Sequence, residues 1–162
     1  MLVQVVINRF VNYNVWATER IAAFLQTIDQ KLMDEKTGSS FGTIDLTLRH
    51  ITAANRFWYE LVVNGKILES DAPVNNTIRE FIESARLLKD AVSIFTEEQL
   101  LEKIRATDSS QSRYEYILHV VNHSSYHRGQ VVNMCRALGI TSEIQSTDYD
   151  AFMWWIENNA QL

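Results

Sequence analysis

The sequence predicts an all-α protein, an up-down four-helix bundle with an additional C-terminal helix. Three observations point there. Apolar residues recur three or four positions apart through several long stretches, the spacing that gives a helix one apolar face. Serine or threonine followed three residues later by glutamate or glutamine marks three helix starts. Helix breakers are scarce, with one proline and five glycines in 162 residues. A chain of this length reads as a single domain, residues 1–162, large enough to bury a hydrophobic core.

The elements follow in order. From about Val3 to Leu25, residues such as Val6, Phe10, Tyr13, Ala17, Ile21 and Leu25 trace one long amphipathic helix. Lys36 to Gly42 is polar and glycine-bearing, hence a loop. Thr43 to about Val63 restores the pattern through Leu46, His50, Ala53, Phe57 and Leu61, and Asn64-Gly65 ends it. Glu69 to Asn76, with Pro73, is a connection. Thr77 with Glu80 reads as a capping box opening a third helix to about Ile94, and Thr96 with Gln99 starts a short one. Thr107 to Gln111 is a polar loop. Ser112 with Glu115 opens a fourth long helix, which runs to Leu138 before Gly139 closes it. A last amphipathic piece covers about Asp148 to Asn158 and carries Tyr149, Phe152, Trp154 and Trp155.

Composition excludes several function classes. Net charge −5 and a pI near 5.3 argue against a broad nucleic-acid footprint, which needs a basic surface. One cysteine excludes an internal disulfide and fits a reducing compartment. The apolar opening Met1 to Ile7 is stopped by Asn8 and Arg9, too early for a spanning helix, and no cationic stretch precedes it as in a signal peptide. The expectation is a cytoplasmic protein with neither membrane nor nucleic acid as partner.

Three of the four histidines lie at four-residue intervals, His119, His123 and His127. On a helix each step of four turns only about 40° and rises about 6 Å, so the imidazoles share one stripe. His119 and His127 are about 12 Å apart along the axis, too far to share an ion directly. The usable pairs are His119/His123 and His123/His127. His50, on the second helix, can complete either from across the bundle, the way bundle interiors build metal sites. Three neutral imidazoles suit zinc, nickel, copper or ferrous iron, and leave an open position as in catalytic rather than structural sites. The plainer reading is of histidines bonded to carbonyls or lying on a solvated face; three in register outweigh it.

The missing residues narrow the chemistry. A zinc protease helix places glutamate directly after its first histidine; Val120 and Ser124 stand there instead. The Glu-x-x-His pair of di-iron bundles is also absent, since Glu115 precedes His119 by four. Glu115, at a helix start, reads as a cap before a site residue.

At these residues the chain resembles a known family. His50 within Leu48-Arg49-His50-Ile51, Trp58 two turns on, the Tyr13-Asn14-Val15-Trp16-Ala17 stretch, Thr147-Asp148, and above all His119-Val120-Val121-Asn122-His123-Ser124-Ser125-Tyr126-His127-Arg128-Gly129-Gln130 are similar to the DinB family of metal-binding four-helix bundles. The segment Ile144-Gln145-Ser146 departs from it by lacking a frequent proline. The resemblance spans nearly the whole chain. It implies His50, His123 and His127 as metal ligands, with His119 outside the triad in a substrate-facing or supporting role. It also implies a homodimer.

Other residues have weaker readings. Arg128 points about 100° away from His127 and reads as a helix–helix salt bridge before a clamp on a substrate carboxylate. Gly129 allows close helix packing, and Gln130 bonds locally. Trp58 reads as core before pocket wall. Cys135 reads as inert core. The aromatic C-terminal run covers a bundle face or a partner subunit.

Relatives of the type resembled are thiol-dependent S-transferases and isomerases, so the expected activity is metal-dependent activation of a low-molecular-weight thiol toward an electrophile. The expected cofactor is a divalent ion, zinc or nickel before iron, manganese or copper. The alternative is a stress-response protein that holds metal without catalysis.

Overall fold

The computed structural model describes residues 2–67, 74–106 and 109–159. Four long helices form a bundle: α1 (Leu2–Leu25), α2 (Ile44–Asn64), α3 (Thr77–Ser93) and α5 (Arg113–Ala137). Around them lie a 3-10 turn (Gln30–Asp34), the short α4 (Glu97–Leu101), a ribbon of β1 (Lys103–Ala106) and β2 (Ser109–Ser112), and the closing α6 (Tyr149–Asn159). No helix among the described residues is long and apolar enough to cross a membrane.

Local chemistry sets most helix ends. Thr43 Oγ1 accepts the Leu46 N–H at 3.1 Å, satisfying a donor that the first turn of α2 leaves open. Gly65 ends that helix in the left-handed region, φ 65°, and donates its N–H to Leu61 O at 2.9 Å. Thr96 and Gln99 form the reciprocal capping box of α4. Glu115 accepts the Ser112 N–H at 2.8 Å, which gives Glu115 the cap role.

Two local expectations need correction. The cap of α3 is Asn76, whose side chain accepts the Arg79 N–H at 3.0 Å. Thr77 instead donates its hydroxyl to Asp45 at 2.5 Å, tying α3 to the start of α2. The second correction falls on the polar loop Thr107 to Gln111. Ser109 to Gln111 belong to β2, paired antiparallel with β1, while Thr107 and Asp108 lie outside the described residues. Ile104 and Ala106 of β1 are buried and anchor the ribbon, whereas β2 is wholly polar and carries no strand signal of its own. Within the connection expected at Glu69 to Asn76, Glu69 to Pro73 lie outside the described residues.

Glu80 has become a junction. Its carboxylate accepts the backbone N–H groups of Asn75 and Asn76 at 2.7 and 2.8 Å and the Arg56 guanidinium at 2.5 Å. The Asn76 amide foremost, then Arg56, hold its pKa down at about 2. A depressed carboxylate stabilises the fold above its unfolded pKa, near 4.5, and that contribution is lost as pH falls through its folded pKa. Glu80→Gln is therefore expected to lower Tm at pH 7, and the gap to wild type should close as pH drops from 5 toward 2. A gap that is constant with pH in thermal melts would count against this charge-based role.

Hydrogen bonds across the bundle reveal its directions. Thr47 meets Met134 near one end of the α2–α5 seam and Val62 O meets Arg113 at the other, so these helices run antiparallel. Asp45 meets Thr77, and Asn55 meets Ser84, so α2 and α3 run in the same direction. Arg86 meets Glu19 and Phe95 O meets Gln4, so α1 opposes α3. The predicted bundle is present, but strict alternation fails at its second connection. The side chains that join α2 to α3 set this direction: Asp45 with Thr77, and Asn55 with Ser84.

The core fills both ends of the bundle. One group joins Ile7, Val11, Leu88, Ile117 and Val120 to Phe152 of α6, and the other joins Ile21, Leu48, Ile51, Phe81 and Val131. Phe152 packs on Tyr13 and Trp16, so α6 covers a bundle face, although Trp154 remains 65% exposed. A buried polar chain crosses the centre. Ser124 Oγ donates to Asn55 Oδ1 at 3.1 Å, and Asn55 Nδ2 donates to Ser84 Oγ at 3.0 Å. It pins α5, α2 and α3 in one register beside His123.

Candidate metal centre

The α2–α5 seam brings His50, His123 and His127 together, with one ligand atom from each lying within 4.8 Å of the others. His123 is central. Its Nε2 lies 3.1 Å from His50 Nε2 and 3.1 Å from His127 Nε2. Two nitrogens bound tetrahedrally at zinc distances stand about 3.3 Å apart, so the spacing fits one ion. Helix α5 supplies two of the rings because an i, i+4 pair shares a face. Antiparallel α2 supplies the third because the Ser124–Asn55 bond fixes its register.

The electrostatics favour neutral rings. Burial first, then the neighbouring His127, His50 and His119, push the His123 pKa down to about 4. Burial and His127 lower that of His50 as well. At neutral pH these two therefore offer lone pairs, the state a metal ion requires. His123 Nδ1 is buried without a hydrogen-bond partner among the described residues. His127 is better held, its Nδ1 lying 2.8 Å from Gln130 Oε1. A crowd of imidazole lone pairs with no carboxylate among them is a donor set suited to a cation.

The other candidate residues are placed differently. His119 is exposed and stands outside the three; its ring meets Trp58 edge-on at 4.8 Å and lies 6.0 Å from that of His123. Trp58 also stacks on Tyr116, forming an aromatic shelf one turn from the triad.

Arg128 points away from the site. It is 1% exposed and donates to Asn14 Oδ1 at 2.6 Å, Thr18 Oγ1 at 3.3 Å and Ser125 Oγ at 2.9 Å. These partners are all neutral. It is thus neither the expected helix–helix ion pair nor a clamp open to substrate, and it joins α5 to α1 by hydrogen bonds. Burial lowers its pKa, an effect Tyr13 opposes. Gly129 makes no close packing, since an added Cβ would meet nothing within 4 Å. Cys135 is fully buried and burial raises its thiol pKa, which keeps it inert.

One site residue escaped the sequence reading. Phe41, in the loop before α2, stacks on His50 with centroids 4.1 Å apart and meets His127 edge-on at 5.4 Å. The loop is closed by the Thr37 N–H donating to Gly42 O at 2.7 Å, and Gly42 adopts φ 79°, a turn that favours glycine. An aromatic residue isolated among glycines and serines just before a helix cap was the available signal. The same loop, through Thr37 to Ser40, faces Gln130, Asn133, Met134 and Ala137 across a groove of about 410 Å³.

Comparison with known proteins agrees with this architecture. The DinB family model matches residues 1–160. Protein DinB of Bacillus subtilis is 27% identical over 158 residues, covering 88% of this chain and 90% of that protein. Two crystal structures share the fold. A DinB-like protein from Bacillus subtilis superposes with TM-score 0.71 at 13% identity, covering 86% of this chain and 96% of that one. A second, from Bacillus cereus, gives TM-score 0.63 at 18% identity, covering 85% and 94%. With the helical bundle, the histidine triad and a family match over nearly its whole length, the chain belongs to the DinB family.

Proposed function

We propose that this protein is a metal-dependent enzyme that activates a low-molecular-weight thiol for S-transfer to an electrophilic substrate, the thiol losing its proton and its sulfur bonding to the electrophile. The observation that carries the proposal is the convergence of three imidazole nitrogens with no carboxylate in the set. A divalent ion bound there, zinc or nickel before iron, manganese or copper, supplies Lewis acidity, making a thiol lose its proton near neutral pH.

The chain's own residues do the remaining work. His50, His123 and His127 are the ligands, and as neutral donors they leave the ion's charge uncompensated. Three protein ligands suit a four-coordinate ion with one position for an exogenous group. Phe41 covers His50 and His127 and limits water on that side. Trp58 and His119 offer a half-exposed wall along which substrate could lie. No separate general base is needed.

The test uses purified, metal-loaded protein with a panel of low-molecular-weight thiols and a generic electrophile. Turnover is expected with at least one thiol and should disappear in His123→Ala. Turnover that survives the substitution refutes the mechanism. Metal-dependent thermal stabilisation without turnover for any thiol would instead favour a non-catalytic metal-binding role.

A further inference from the structure

The three histidines are not held alike. His50 has its ring plane set by the stack on Phe41. His123 Nδ1 has no hydrogen-bond partner among the described residues. Among the described residues only His127 has an acceptor, Gln130 Oε1, 2.8 Å from its Nδ1. Gln130 follows His127 by three residues, so the two lie on neighbouring positions of one helix face.

A neutral imidazole carries one N–H and one lone pair, and an amide oxygen only accepts. The contact therefore places the proton of His127 on Nδ1 and leaves the lone pair on Nε2, the atom that faces His123 at 3.1 Å. The opposite tautomer would present an N–H to the metal position. An amide rotated by half a turn would favour that tautomer, since its NH₂ group would donate to Nδ1.

We propose that Gln130 is a positioning residue for the metal centre, holding His127 in the Nδ1–H tautomer with Nε2 aimed at the ion. The inference rests on the reading of the triad as the metal site. Partners of this kind orient a ligand ring and raise its basicity, and losing one weakens metal binding by about 10–100-fold.

Two readouts test it. Long-range ¹H–¹⁵N spectra of the metal-free protein report the tautomer of His127, and titration with nickel(II) reports affinity. Wild type should show Nδ1–H. Gln130→Met, similar in length but without a strong acceptor, should mix the tautomers and weaken nickel binding by about 10–100-fold. Gln130→Glu should restore both, because a carboxylate accepts the same hydrogen bond more strongly.

The inference is overturned if Gln130→Met matches wild type in tautomer and affinity. It is also overturned if Gln130→Glu binds as weakly as Gln130→Met, which is what a packing role would produce. Failure of the underlying reading looks different, because wild-type protein would then bind no nickel whatever tautomer His127 adopts.

Discussion

His123→Ala is expected to abolish stoichiometric metal binding, while His119→Ala leaves it unchanged. His123 is the ring whose Nε2 approaches those of both other histidines at 3.1 Å, so its removal leaves two nitrogens on different helices. Loss of an outer partner alone costs about 10–100-fold in affinity, and loss of a direct ligand should exceed that. His119 occupies an equivalent sequence spacing but is turned onto Trp58. Metal content after gel filtration, checked by calorimetric titration, distinguishes the two. Wild-type stoichiometry in His123→Ala, or loss of metal in His119→Ala, would remove the assignment.

Phe81→Ala should be the most damaging single truncation outside the site. Phe81 is 0% exposed and belongs with Ile51, Leu48 and Val131 to one half of the core. Removing a buried phenyl ring costs about 3–5 kcal/mol through lost transfer free energy and the cavity left behind. For a chain of this size that corresponds to a fall in Tm of roughly 10 °C. The Ser124–Asn55–Ser84 chain does not use the Phe81 side chain, so the histidine seam should survive at low temperature. Excess metal should then raise the variant's Tm as it should that of wild type, since a ligand specific for the native state stabilises by mass action. A melt within a few degrees of wild type would mean that α3 is not packed as described. A folded variant that has lost metal binding would mean that core and site are coupled.

Much of the helical layout was legible because helix signals are short-range. Thr43, Gly65, Thr96 with Gln99, and Ser112 with Glu115 act within about one turn, and the structure uses each as an end signal. The α3 cap was misplaced by one residue. Asn76 is itself a good cap and takes the Arg79 N–H, while Thr77 is drawn away to Asp45 on α2. The β2 strand was illegible because its polar run Ser109-Ser110-Gln111-Ser112 owes its conformation to pairing with β1. The shared direction of α2 and α3 was equally hidden, since periodicity identifies a face and carries no heading.

For the site, the sequence by itself determined the stripe: His119, His123 and His127 on one helical face, and the absence of the glutamates that protease or di-iron chemistry needs. Spacing could not choose between the two histidine pairs, because both are the same i, i+4 step. Resemblance chose the downstream pair as an expectation, and only the tertiary structure could bring a ring from α2 against it. The antiparallel α2–α5 seam, registered by Asn55 and Ser124, sets His50 opposite His123 and His127, and Phe41 against His50 and His127. It turns His119 outward and buries Arg128 against α1. The physical reason is range. Helical spacing and capping are settled within a turn or two of chain, whereas His50 and His123, 73 positions apart, meet only through the packing of whole helices.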